Sequence, residues 1–308
     1  PETRERARTL FAAVLDCPGG GLRIDTIHAF SQWLLAAFPE EAGLVPGARA
    51  MEDRDRELLA REVLAEMLVD AEAAGDEELL ATLADLSRRK DENTAQAWLM
   101  RCAEAHEAWF GAGAWQPPLK GRVLRLLGLP EDAGGDYLAQ LCSDQVFDIA
   151  ALRRCLETNR GWSTKTGQGN ADAIGAWLAD PAQRAGRLAE LASVFLTQKG
   201  EPRSSASLEK IDPAYRADMD AVIACIGAAN ECKALLDLAD WLAPALELGR
   251  RFAFAWKDAK EREGLIDFDD QIRLAAGLLT REGIADWIRY KLDRRFDHIL
   301  IDEAQDTN

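Results

Sequence analysis

Apolar residues recur every three to four positions along most of this chain, a spacing that predicts helices. Leu10, Phe11, Val14 and Leu15 place a helix over residues 1–15, which "CPGGG" at 17–21 breaks. "LRIDTIH", residues 22–28, alternates apolar and polar side chains and predicts a short strand. Helical spacing then returns through Phe30, Trp33, Leu34 and Ala37, ending near Pro39. From about Gly43 to Gly249 the pattern is almost entirely helical, with one apolar stripe formed by Leu58, Leu59, Val63, Leu64, Met67 and Leu68. Asp180-Pro181 and Asp212-Pro213 each set an N-cap acceptor before a proline, the signature of a helix start. Two stretches resist helix, "TNRGWSTKTGQGN" at 158–170 and "TQKGEPRSSAS" at 197–207, and both carry basic residues. Beyond Arg250, Phe252, Trp256 and Ala259 mark a helix ending at Gly264. Asp267 or Asp269 can cap the next one, which carries Ile272, Leu274, Ala275 and Leu278. A further helix is expected over 284–292, and "FDHILI" at 296–301 predicts a short buried strand.

The two predicted strands lie near opposite ends of the sequence. They can be neighbours in one parallel sheet if the helical block between them is an insertion in an α/β domain. The expected fold is therefore mainly α with a short parallel sheet. Residues 1–42 and 250–308 would form the sheet domain, and 43–249 the insertion.

Composition narrows the function classes. Of the 308 residues 48% are hydrophobic, enough for a sizeable core. Basic residues number 37 against 53 acidic, a formal net charge of −16, which repels a polyanion at long range. A nucleic-acid partner would need a local basic groove or further protein segments. The six cysteines form no C-x-x-C pair and the three histidines are far apart, which argues against a zinc site or disulfide framework. Cys225 and Cys232 share one face of a predicted helix and read as core thiols. No apolar run reaches the roughly 18 residues of a membrane span, and "PETRERARTL" lacks the apolar centre of a signal peptide. A cytoplasmic protein without a membrane partner is expected.

The candidate chemistry is at the C-terminal end, where "ILID" runs into Glu303. In open α/β sheets ligands bind at the carboxyl ends of strands. There Asp302 could hold Mg²⁺ through its water shell, Glu303 could activate the attacking water, and Gln305 could face the γ-phosphate. The plainer reading is that two acids open a helix.

"ILIDEAQDTN" resembles motif II of superfamily 1A DNA helicases of the UvrD/Rep type. "LRIDTIHAF" resembles their motif Ib, and "GLIDFDD" resembles the segment leading to motif II. More narrowly, the stretch from "LFAAVLDCPGGG" to "AGLVP", with "FLTQKGEPR" and "YKLDRRFDHILIDEAQDTN", is similar to the AddA family in its alphaproteobacterial form. These are helicase–nuclease subunits of a double-strand-break repair complex. The resemblance implies a RecA-like motor domain, 1A, interrupted by a helical 1B-like insertion. It also implies ATP and Mg²⁺ as cofactors of the full-length parent, and as partners a single-/double-stranded DNA junction and an AddB-like subunit. Thr26, His28 and Phe30 match motif Ib, which touches single-stranded DNA. The chain contains no G-x-G-K-T loop to hold phosphates; Gly19-Gly20-Gly21 is followed by no Lys-Ser/Thr. The expectation is an internal piece, from about motif Ia to just past motif II, that carries no bound cofactor and is inactive alone. The alternative is a helical module whose main task is docking a partner subunit. Two other groups stay open: Asp267, Asp269 and Asp270 as a second metal site or a helix cap, and Arg160, Trp162 and Lys165 as a DNA grip or a solvated loop.

Overall fold

The computed structural model describes residues 2–15, 25–45, 47–89 and 92–293. Asp302, Glu303, Gln305 and the strand expected over 296–301 lie outside them. Along the described residues the elements are α1 (Glu2–Leu15), α2 (Ile27–Ala37), β1 (Arg49–Ala50), α3 (Asp53–Ala74), α4 (Glu77–Arg89) and α5 (Glu92–Glu104). Next come α6 (His106–Phe110), α7 (Lys120–Leu126), α8 (Gly135–Leu141), α9 (Ile149–Gly161), α10 (Lys165–Ala179) and α11 (Leu188–Phe195). The last are α12 (Tyr215–Glu263), β2 (Leu265–Ile266), α13 (Phe268–Thr280) and α14 (Ala285–Asp293). The chain is thus mainly α with one short parallel pair of strands.

Two compact units divide these elements. The first takes Pro1–Leu80, Ser87–His106 and Gly249–Asn308, and the second Ala81–Leu86 and Glu107–Leu248. The 49-residue helix α12 contributes to both. Pro244 lies inside it, where the missing N–H removes one helical hydrogen bond.

In the second unit α10 packs against α9 and α11. Leu152, Ile174, Trp177, Leu191 and Ile226 are fully or almost fully buried there. Each such side chain contributes about 1.5–3 kcal/mol on leaving water. A polar thread runs through this core. Asn159, wholly buried, donates to the Cys155 carbonyl at 2.8 Å and to the Tyr215 hydroxyl at 3.2 Å, and accepts from Asn170 at 3.2 Å. Burial pushes the Tyr215 phenol up to about 12. Arg184 is buried too, over the Trp177 ring at 4.9 Å and paired with Asp144 at 2.6 Å. Asn159 and Arg184 are tolerated in the core because each has partners.

In the first unit the stripe Phe252, Trp256, Ala259 on α12 is buried, as its spacing predicts. Leu59 and Val63 of α3 and Leu99 of α5 are buried as well, whereas Leu58 is half exposed. Gly249 is required here: a Cβ would sit 2.5 Å from the Cys102 sulfur. Gly264 ends α12 with φ +63°, a left-handed conformation that favours glycine, and the chain enters β2 directly. The β1–β2 pair is closed by Arg49 N–H donating to Gly264 O at 2.9 Å and Met51 N–H to Ile266 O at 2.8 Å. A separate cluster of Leu34, Leu35, Ala275, Leu278 and Ile288 joins α2, α13 and α14.

Several expectations need correction. Residues 25–28 are not strand: Thr26 caps a helix that has begun by Ile27, and residues 22–24 lie outside the described part. The parallel pair forms between Arg49–Ala50 and Leu265–Ile266, segments too short to show alternation in sequence. The stretch 158–170 is largely helical. Gly161 closes α9, and Thr164 caps α10 by accepting from Gly167 N–H at 3.1 Å. Of its glycines, Gly167 is closely packed, since a Cβ there would run into the Trp162 carbonyl and lie 3.0 Å from the Asn159 carbonyl. Asp180-Pro181 opens only a single 3-10 turn, Pro181–Gln183. The stretch 197–207 is non-helical as expected, folded into a tight turn in which Thr197 N–H donates to Glu201 O at 2.8 Å.

Candidate nucleic-acid interface

Of the residues matched to helicase motifs, Thr26, His28 and Phe30 lie within the described part. All three belong to the start of α2. The Thr26 hydroxyl accepts from Ala29 N–H at 3.2 Å, and its carbonyl accepts from Phe30 N–H at 2.9 Å, so the hydroxyl is the N-cap. Thr26 and His28 are exposed. Phe30, one helical turn on from the cap, is half-buried and packs with Trp33 into the α2–α13–α14 cluster.

The partner of His28 comes from the far end of the sequence. Its ring meets Phe268, the first residue of α13, edge to face, with centroids 5.1 Å apart and planes at 82°. Phe268 is 55% exposed, a large aromatic left facing water beside an imidazole and a hydroxyl. Two helix starts are therefore juxtaposed, each with its own capping side chain. Sequence reasoning passed over Phe268, because "IDFDD" drew attention to its carboxylates. The available signal was a bulky aromatic at the first position of a predicted helix, where the side chain has no preceding turn to pack on.

Two of the three carboxylates around Phe268, Asp267 and Asp270, are paired. Asp267 caps α13, accepting from Asp270 N–H at 2.8 Å. The Lys260 ammonium, almost buried, reaches Asp267 at 2.5 Å and also pairs with Asp270. Arg273 donates to the other Asp270 oxygen at 2.6 Å. Burial pushes the Asp270 carboxyl up, but the Lys260 charge and the hydrogen bonds from Lys260 and Arg273 outweigh it and hold the group below its ordinary 3.8. With two cations already on these acids, the trio does not fit a metal ion. Among the described residues no group of three His, Cys, Asp or Glu side chains could hold one.

The residues 160, 162 and 165 differ in their surroundings. Arg160 pairs with Glu157 at 2.7 Å, and Trp162 is half-buried against the core of its unit. Lys165 is exposed at the start of α10. Cys142, Cys155 and Cys232 are buried free thiols, as core packing predicts, and burial pushes Cys155 up to about 12. Among the described residues no helix is long and apolar enough to cross a membrane.

Residues 2–308 match the family model described as the UvrD/REP helicase N-terminal domain. The chain is 27% identical over 320 residues to an ATP-dependent helicase/nuclease subunit of Moorella thermoacetica, covering 92% of this chain and 22% of that protein. It is 23% identical over 316 residues to the protein of the same name from Exiguobacterium sibiricum, covering 93% and 25%. A shorter match, 36% over 62 residues, links it to the Listeria innocua protein of that name, covering 20% of this chain. The chain spans about a quarter of the length of the relatives it matches along most of itself.

Proposed function

Because this chain belongs to the UvrD/REP helicase N-terminal domain family, we propose that it forms part of the motor of an ATP-dependent DNA helicase of the AddA kind, acting in double-strand-break repair. The observation that carries the DNA reading is the exposed corner of Thr26, His28 and Phe268. A single strand needs two things from a protein: donors for its phosphates and a flat face for its bases. The Thr26 hydroxyl, the His28 imidazole and the first-turn amides of α2 supply the first. Phe268 supplies the second, with His28 fixing its edge. Phe30, placed in the core cluster, serves this corner by anchoring α2.

Asp302, Glu303 and Gln305 are assigned by their match to motif II. Asp302 is the Mg²⁺-holding carboxylate, Glu303 the water-activating base and Gln305 the phosphate sensor. No G-x-G-K-T loop occurs in the 308 residues to cradle a triphosphate. The chain by itself therefore neither binds nor turns over ATP. The helical block 43–249 is a 1B-like insertion in this reading, and an AddB-like subunit is the parent's partner.

Fluorescence anisotropy with a labelled oligothymidylate at low salt tests the DNA site. Phe268→Ala and His28→Ala should each weaken binding, the former by about ten-fold or more if base stacking is worth about 1–3 kcal/mol. Unchanged affinity in both variants would remove this corner from the DNA path.

A further inference from the structure

Lys260 sits in an unexpected place. It lies on α12 among Trp256 and Ala259, both buried, and is itself only 7% exposed, with its ammonium 5.9 Å from the Trp256 ring centre. A buried ammonium loses several kcal/mol of hydration, and a well-packed apolar side chain often serves stability at least as well. Its ion pairs thus explain how Lys260 is tolerated there, and a role in positioning explains what the position gains.

The two acceptors of Lys260 flank one residue. Asp267 precedes Phe268 and Asp270 follows it within the first turn of α13. Helix first turns fray, because their amides lack intrahelical acceptors. In α13 that turn is tied from inside by the Asp267 cap and from outside by Lys260, with Arg273 bracing the far oxygen of Asp270.

We propose that Lys260 is a positioning residue for nucleic acid: by clamping Asp267 and Asp270 to α12 it fixes the exposed Phe268 ring against His28. This rests on the DNA reading of that corner. It makes the first turn of α13 the point where the long helix α12 governs the strand-binding surface. An apolar residue at 260 would leave Asp267 without its cation and Asp270 held by Arg273 alone, and would free the Phe268 ring to move.

The test is a double-mutant cycle on the full 308-residue chain, reading anisotropy of the same oligothymidylate and helicity by circular dichroism. Lys260→Met should weaken binding by about ten-fold. The Lys260→Met/Phe268→Ala double variant should bind within about two-fold of Phe268→Ala alone, because both remove one function. Lys260→Arg, which keeps the charge and still offers several N–H donors to the two carboxylates, should restore most of the affinity. If Lys260→Met fails to fold, Lys260→Met/Asp270→Asn takes its place. That variant removes one of the two carboxylates that lose Lys260 while leaving the Asp267 cap. The proposal is overturned if the folded lysine variant binds like the wild type, or if its loss and that of Phe268→Ala multiply in the double variant. Wild-type binding by Phe268→Ala itself would instead reject the DNA reading, and this inference with it.

Discussion

At the scale of single residues, close approach and charge pairing decide which positions tolerate change. Gly167 lies in the first turn of α10, where a Cβ would meet the Trp162 side chain at 2.9 Å and the Asn159 carbonyl at 3.0 Å. Gly167→Ala should therefore destabilise the chain by about 1–3 kcal/mol despite alanine's better helix propensity. A urea titration followed by circular dichroism measures it, and a gain in stability would show that the turn can open at little cost. Asp270 and Asp76 both titrate below the ordinary carboxylate value. For Asp270, burial is outweighed by Lys260 and Arg273; for Asp76, the Arg251 side chain and the Leu79 N–H hold the carboxylate. A folded-state pKa below the unfolded value adds stability that is full above the unfolded value and lost as pH falls through the folded one. Stability should accordingly hold above about pH 4–5 and drop below it. The drop should be shallower in Asp270→Asn, once the two proteins are compared at neutral pH as their own references. An identical acid slope in the two would mean that the Lys260 pair contributes nothing to acid sensitivity.

At the scale of elements, caps and breakers place the helices. Asp148 caps α9 by accepting from Ala151 N–H at 2.9 Å, while its own N–H donates to the Cys225 sulfur at 3.4 Å. Asp148→Ala should lower stability by about 1 kcal/mol and Asp148→Ser by much less, because serine also caps. Thermal melts of the two variants distinguish a lost cap from a lost charge: equal losses would point to the charge. The end of α12 shows the opposite device. Gly264, left-handed, stops the helix and turns the chain straight into β2. That stop sets the register of the strand pair, and with it the position of Asp267 at the start of α13. The element carrying Phe268 is thus aimed by a glycine four residues earlier.

At the scale of the whole molecule, two compact units share one long helix in an acidic chain with a net charge of −16. Such a field opposes DNA at a distance, so the strand binding proposed for the Thr26–His28–Phe268 corner would have to come from short-range contacts. Calorimetric titration of the 308-residue chain with Mg-ATP should show no binding heat, because its sequence holds no phosphate loop. In a full-length parent, Glu303→Gln should abolish DNA-stimulated ATP turnover and leave nucleotide binding largely intact. Normal turnover in that variant would mean that Glu303 is not the water-activating base.

The sequence by itself determined the helical character of the chain and the cores of its helices. Leu34, Phe252 and Trp256 repeat at the helical period, and that period has one physical meaning: a face kept from water. It determined the family as well, because "ILIDEAQDTN" and "LRIDTIHAF" are local strings that need no partner to be read. Tertiary structure alone decided what meets what. The step from strand to helix at Thr26 depends on a hydroxyl closing onto an amide three residues on, which competes with the alternation that reads as strand. The pairing of Arg49–Ala50 with Leu265–Ile266 is two residues deep on each side, too short for any period to register. The glycine at 167 looks like part of a loop in sequence because composition does not distinguish a glycine that bends the chain from one that admits a neighbour. The contact of His28 with Phe268, and the Lys260 clamp beneath it, join segments far apart in the chain. Contacts of that kind arise only when packing brings the surfaces together.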